Sequence, residues 1–282
     1  MIPDHLVVAV FGLTAAVSWG AGDFAGGLAT RRTDVFSVIV VSYAAGLLLL
    51  IALALRWAEP FPTAAQLVWA GVAGSAGALG LVSLWRALAL GKMGIAAPAT
   101  AVLAAAVPVV FAALAEGAPT RWQILGFVLA LLGLWLVSRR DDDGAGAQRA
   151  LRLALLAGLG FGLYFILIRQ AAVTTVFWSL VAARGMSFLL VVALALAGRG
   201  VRFPPRNLLP LVLVAGMLDV TGNACFVFAA RAGRLDVAAV LSSLYPAVTV
   251  LLARVVLKER VTRLQAVGVA AALLAIPLLA AP

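Results

Sequence analysis

Apolar residues fill this chain in ten long runs, and polar residues are confined to the breaks between them and to a few isolated positions inside. The runs are Leu6–Leu28, Val35–Leu55, Leu67–Leu90, Ile95–Leu114, Trp122–Ser138, Leu151–Ile168, Val176–Leu196, Leu208–Ala230, Val237–Leu257 and Leu264–Ala281. At about 1.5 Å of rise per residue, a helix of some 20 residues crosses the ~30 Å hydrocarbon core of a bilayer. The breaks carry turn residues, as in Glu59-Pro60-Phe61-Pro62, Gly117-Ala118-Pro119 and Phe203-Pro204-Pro205. The pattern predicts an all-α membrane protein with ten transmembrane helices and no room for a soluble domain.

Composition agrees. The chain is 65% hydrophobic and 11% charged, with a mean hydropathy of +1.13, against ~45–50% apolar and ~25% charged in soluble domains. The formal net charge of +10 does not point to nucleic acid, because the arginines stand singly or in small groups at the ends of apolar runs. Cys225 and His5 are the only residues of their kinds, which removes a disulfide framework and a cysteine- or histidine-based metal centre, and no cofactor is expected. A phosphate-cradling glycine loop with lysine is also lacking, so ATP is not expected to drive this chain. Met1 to His5 carries no basic residue, and the run that follows has no cleavage-type end before Arg31, so it reads as a retained first span.

The two halves repeat. Thr33-Asp34-Val35-Phe36 recurs as Thr174-Thr175-Val176-Phe177, an offset of 141 (174 − 33), and Ala52-Leu53-Ala54-Leu55 recurs as Ala193-Leu194-Ala195-Leu196. Gly74 and Gly80 correspond to Gly216 and Gly222 at an offset of 142 (216 − 74), as do Thr120-Arg121-Trp122-Gln123 and Thr262-Arg263-Leu264-Gln265. The expected division is a first five-helix repeat over 1–140, a linker over 141–150 and a second repeat over 151–282. Five spans are an odd number, so the second repeat enters the membrane upside down, and an inverted repeat places a substrate near the midplane between its halves. The linker's triple aspartate, Asp141 to Asp143, sits among Gly and Ala without a second acidic cluster and reads as a solvated hinge.

A few polar residues lie at mid-membrane depth. Asp219 stands near the centre of Leu208–Ala230, and Arg184 has eight residues of its run before it and twelve after. Each is costly alone in hydrocarbon, ~2.5 kcal/mol or more on insertion scales, so they are expected to face one another or share a substrate. Arg184 suits a substrate carboxylate or phosphate, and Asp219 a proton or an amine; a permanent structural ion pair is the competing reading. Asn223 follows Asp219 by one turn and shares its face. Trp19 and Asp23 are likewise four apart on the first span, with Asp23 open to two readings, a proton site or a surface partner of Arg31 or Arg32. Tyr164, among Gly158, Gly160 and Gly162, and Tyr43, which matches Arg184 in the repeat, complete the candidate substrate-binding set. Arg86 and Arg254 are expected to snorkel, and Glu116 and Glu259 to pair at helix ends. Pro98, Pro108 and Pro246 each remove a backbone donor inside a span and favour bends.

Two motifs resemble a known family. Trp19-Gly20-Ala21-Gly22-Asp23-Phe24 is similar to the Trp-Gly-x-Asn-Phe pattern of the first helix, and Pro246 with Leu257-Lys258-Glu259-Arg260-Val261-Thr262 is similar to the Pro then Leu-Gly-Glu-Arg-Leu pattern ending the ninth helix, of the ten-helix EamA group in the drug/metabolite transporter superfamily. Leu114-Ala115-Glu116 with Thr120 is a weaker copy in the first half. The chain departs from the pattern in having Asp23 where asparagine is common, and Pro108 one turn beyond the position matching Pro246. The resemblance implies secondary transport of small organic molecules, often export.

Together these readings lead to a multi-pass transporter of the cell membrane, monomer or homodimer, whose partners are the lipid bilayer and a small-molecule substrate. It is expected to move small polar or amphipathic metabolites by alternating access, with proton coupling through Asp219 or Asp23. A non-transporting subunit of a lipid flippase and an intramembrane enzyme acting on lipid-linked substrates are the alternatives. Most basic residues fall in loops following odd-numbered spans, which by the positive-inside rule puts both termini outside the cytoplasm. The resemblance implies cytoplasmic termini, and the two expectations stand side by side.

Overall fold

A computed structural model describes residues 3–30, 32–89, 93–137, 147–197, 203–257 and 263–279. These form eleven α-helices and no strand among the described residues: α1 Asp4–Thr30, α2 Val35–Arg56, α3 Ala64–Ala89, α4 Met93–Ala115, α5 Arg121–Val137, α6 Ala147–Ala171, α7 Phe177–Ala197, α8 Leu209–Ala232, α9 Leu235–Ser242, α10 Tyr245–Leu257 and α11 Arg263–Leu279. Six described segments, five within α1, α2, α3, α6 and α7 and the sixth, Arg206–Ala232, containing α8, are long and apolar enough to cross a membrane. The outer surface is apolar too, with Leu48, Leu114, Leu196 and Val255 exposed. Such a surface is stable only against lipid. The interior holds many alanines and glycines, small residues that let helix backbones approach closely where hydrophobic burial gives no net drive.

Capping residues fix where several helices start. Thr63 and Gln66 form a reciprocal capping box at α3, as Thr120 and Gln123 do at α5. Asp34 caps α2 by accepting from the Ser37 backbone N–H at 3.0 Å. At the matching point of the second half the cap comes from a distant loop: Glu59 accepts from the N–H groups of Val176, Phe177 and Trp178 and from the Thr175 hydroxyl. A carboxylate on three free N–H groups at a helix N-terminus is a strong, charge-assisted cap. Glu59→Ala is therefore expected to cost about 1–2 kcal/mol, read as a fall in the unfolding midpoint of the purified protein.

The helices pack in pairs that survive exchange of the halves. With α1, α2, α3, α4 and α5 matched to α6, α7, α8, α9–α10 and α11, the contact of α1 with α8 mirrors that of α3 with α6, and α1 on α9–α10 mirrors α6 on α4. Contacts of α2 with α7 and of α5 with α11 map onto themselves. Along α2 and α7, Trp57 meets Phe177 whereas Tyr43 lies against Arg184 further along, so these equivalent neighbours run in opposite directions. The matched glycines sit at matched crossings. A β-carbon on Gly74 would lie 2.0 Å from the Ala183 carbonyl oxygen, and one on Gly216 would lie 2.5 Å from that of Ser42. In the same way Gly80 faces Phe161 and Gly222 faces Trp19.

One expectation needs correction. The ninth run, Val237–Leu257, is not a single helix: it begins earlier, at Leu235, and is broken between Ser242 and Tyr245 into α9 and α10. Pro246 supplies the reason, since it has no N–H for the Ser242 carbonyl, and the next available N–H, on Ala247, bonds Leu244 instead. By contrast α4 is one continuous helix through Pro98 and Pro108. The triple aspartate, Arg31 and Glu259 lie outside the described residues, as does the side chain of Arg254.

Candidate functional site

The crossings described above leave a cavity of about 100 Å³ at mid-depth of the bundle, lined from both halves. All seven polar and aromatic candidates read from the sequence line it: Trp19 and Asp23 from α1, Tyr43 from α2, Tyr164 from α6, Arg184 from α7, and Asp219 and Asn223 from α8. Arg184 is eighth in α7 and Asp219 eleventh in α8, so neither side chain reaches a helix end.

These residues form one connected network. The Arg184 Nη2 group donates to Asp219 Oδ2. The Asn223 amide donates to the Asp219 backbone oxygen at 2.7 Å and to Oδ2 at 3.2 Å, and its own oxygen accepts from the Tyr164 hydroxyl. The guanidinium carbon of Arg184 lies 4.3 Å from the centroid of the Tyr43 ring, within range of a cation–π contact. The two charges are unequally covered: the arginine side chain is 8% exposed and the aspartate 37%. The carboxylate thus faces the cavity while the guanidinium is enclosed behind it.

Asp23 lines the same cavity, half-buried, and has no hydrogen bond or ion pair among the described residues. Of the two surface partners expected for it, Arg32 does not pair with it, and Arg31 lies outside the described residues. Arg86 is exposed near the end of α3, its guanidinium over the Phe36 ring at 5.9 Å. Glu116 does pair at a helix end, but across elements: it accepts from Arg169 at the end of α6 and from the Leu235 N–H that opens α9.

The sequence reading missed Phe161, Phe165, Ser187 and Tyr245 as lining residues. Phe161 carried a signal, because it occupies the position matching Trp19 in the repeat (161 − 19 = 142). Toward the end of the bundle where α9 begins, the cavity has an aromatic floor: Trp19 stacks on Phe165 at 5.6 Å, and Phe165 meets the fully buried Phe226 at 4.4 Å. Every residue of α9 is buried beyond it, and Arg169 ties that end together by donating to the Ala230 carbonyl as well as to Glu116. The cavity is therefore sealed on that side by packed side chains and by charge pairs.

Chemically the site offers two carboxylates, one covered cation, an amide, hydroxyls and several aromatic faces. No nucleophile activated by a neighbouring base stands among its lining residues.

Comparison with known proteins places this geometry. No curated protein matches the chain. One solved crystal structure, 19% identical, covers 96% of this chain and 95% of its own with a TM-score of 0.76, a likeness in fold. The model of the EamA-like transporter family matches twice, at residues 6–139 and 148–281. Two matches of near-equal length cover almost the whole sequence and coincide with the two sets of helices that exchange in the packing pattern. The chain is a multi-pass membrane protein and belongs to the EamA-like transporter family, within the drug/metabolite transporter superfamily.

Proposed function

We propose that the protein is a secondary transporter of the cell membrane, built of ten transmembrane helices in two inverted five-helix repeats, that exports small polar or amphipathic metabolites by alternating access. The observation that carries this reading is the cavity itself: it lies at mid-depth, draws its lining from equivalent helices of both halves, and is closed toward one end by side-chain packing and charge pairs. The opposed directions of α2 and α7 support the inversion. In this reading Arg184, Asp219, Asn223, Trp19, Tyr164 and Tyr43 contact the substrate, and Asp219 or Asp23 carries the coupled proton. The other titratable groups lining the cavity beside these two acids are Arg184 on α7, Tyr43 on α2, Tyr164 on α6 and Tyr245 on α10.

The direct test is flux in proteoliposomes. Unchanged substrate crossing the membrane, with counter-movement of protons reported by an internal pH dye, supports the reading. Chemical turnover of the substrate points to the intramembrane enzyme, and neither flux nor turnover points to the flippase subunit. Sidedness has its own measurement. A reporter fused after Pro282 that is active only outside the cytoplasm is expected if the distribution of basic residues governs insertion; activity in the cytoplasm favours the orientation implied by the family resemblance.

A further inference from the structure

Resting on the transporter reading, we infer that the substrate is a small organic cation carrying an apolar or aromatic group. Accessible charge in the cavity favours this class. Among the described residues six titratable side chains line the cavity: Asp23, Tyr43, Tyr164, Arg184, Asp219 and Tyr245. Three are phenols, which leaves two carboxylates against a single guanidinium.

That guanidinium is already engaged. It donates to Asp219, lies against the Tyr43 ring and is 8% exposed. An incoming anion would meet two carboxylates and a neutralised cation, and a zwitterion would have to displace Asp219 from Arg184 before its own carboxylate found a partner. A cation displaces nothing. Asp23 stands half-buried in the wall with no ion pair among the described residues, and Asp219 keeps 37% of its side chain open. A substrate cation would balance the charge of two ionised carboxylates beside one arginine, a charge that a proton on Asp23 balances when the substrate is absent, in a setting where unbalanced charge is costly.

The remaining surface fits the other end of such a molecule. Trp19, Phe161, Phe165 and Tyr245 offer ring faces, which bind ammonium groups by cation–π attraction and the apolar remainder by contact, and Leu81, Leu84 and Ala104 continue the wall.

The test compares three probes of similar size on the full chain in lipid nanodiscs: benzyltrimethylammonium, phenylacetate and phenylalanine. Benzyltrimethylammonium is expected to raise the unfolding midpoint and to exchange in proteoliposome counterflow, with the other two far weaker. Asp23→Asn, nearly isosteric, is expected to weaken the cation by about tenfold or more, as loss of a charged partner does, while Asp23→Glu retains most of the affinity. The Glu variant and the elution profile of the Asn variant separate loss of charge from loss of fold. Equal or better binding of phenylacetate or phenylalanine, or an Asp23→Asn protein that protects as well as wild type, overturns the cation assignment and leaves the transporter reading intact. If none of the three probes shifts the midpoint or crosses the membrane, the cation assignment fails, and flux of any other solute then decides whether the transporter reading fails with it.

Discussion

Asp219→Asn is expected to destabilise the protein by about 3 kcal/mol and Arg184→Gln by only about 1 kcal/mol, although the two changes break the same ion pair. Breaking a buried pair by removing one partner costs roughly 3–5 kcal/mol when the surviving charge is left in a dry site. Here the two partners differ in burial, with the guanidinium 8% exposed and the carboxylate 37%. Asp219→Asn strands the covered charge, whereas Arg184→Gln strands one that still reaches the cavity and still accepts from Asn223. The double variant is expected to lie close to wild type, since a neutral pair of the same shape removes both charges together. Chemical unfolding of the three variants in nanodiscs gives the order directly, and the opposite order would mean that Asp219 is the enclosed partner. Transport by the double variant separates two roles. Full recovery marks the pair as scaffolding for the site, and loss of transport in a stable protein marks it as part of substrate handling.

A β-carbon at Gly74 or Gly216 is expected to do more damage than either charge change. Added to Gly74 it would sit 2.0 Å from a carbonyl oxygen of α7, and added to Gly216 it would sit 2.5 Å from one of α2. A backbone atom cannot rotate away as a side chain can, so the helices must separate. Overpacking of this kind costs typically 1–3 kcal/mol and more where nothing yields. Both Gly74→Val and Gly216→Val are expected to abolish accumulation of folded protein. The control is Gly185→Ala on α7, where nothing lies within 4 Å of the added carbon. That change should leave the yield unchanged or raise it, because alanine stabilises a helix interior over glycine by up to about 1 kcal/mol. Equal loss for all three would show that the cause is glycine chemistry in membrane helices and not the two crossings.

The sequence carried the architecture because hydrocarbon leaves it little freedom. Lengths of apolar runs locate the spans, and the offset of 141 to 142 residues pairs them, so Gly74 could be matched to Gly216 without coordinates. Arg184 and Asp219 were legible for the same reason: a charge at mid-depth is too costly to be incidental. Phe165 and Tyr245 at the cavity wall were not, since each reads the same whether it faces a substrate, a neighbouring helix or lipid. The unequal cover of the ion pair was equally hidden, because it depends on Tyr43 approaching from a different helix. The break after Ser242 was half visible. Pro246 marked the neighbourhood, but hydropathy continues across it and gave one run where there are two helices.

The interruption between α9 and α10 has no counterpart in α4, which occupies the equivalent place and stays continuous. Duplicated units that swap shapes during a cycle would reach mirror-image states of equal free energy only if their pieces were interchangeable. Here one unit carries a joint where the other carries a rod. In the proposed alternating-access cycle the outward-facing and inward-facing forms are therefore expected to be unequally populated at rest, and a bias of a few kcal/mol suffices to hold the minor one to between about 0.1 and 10%.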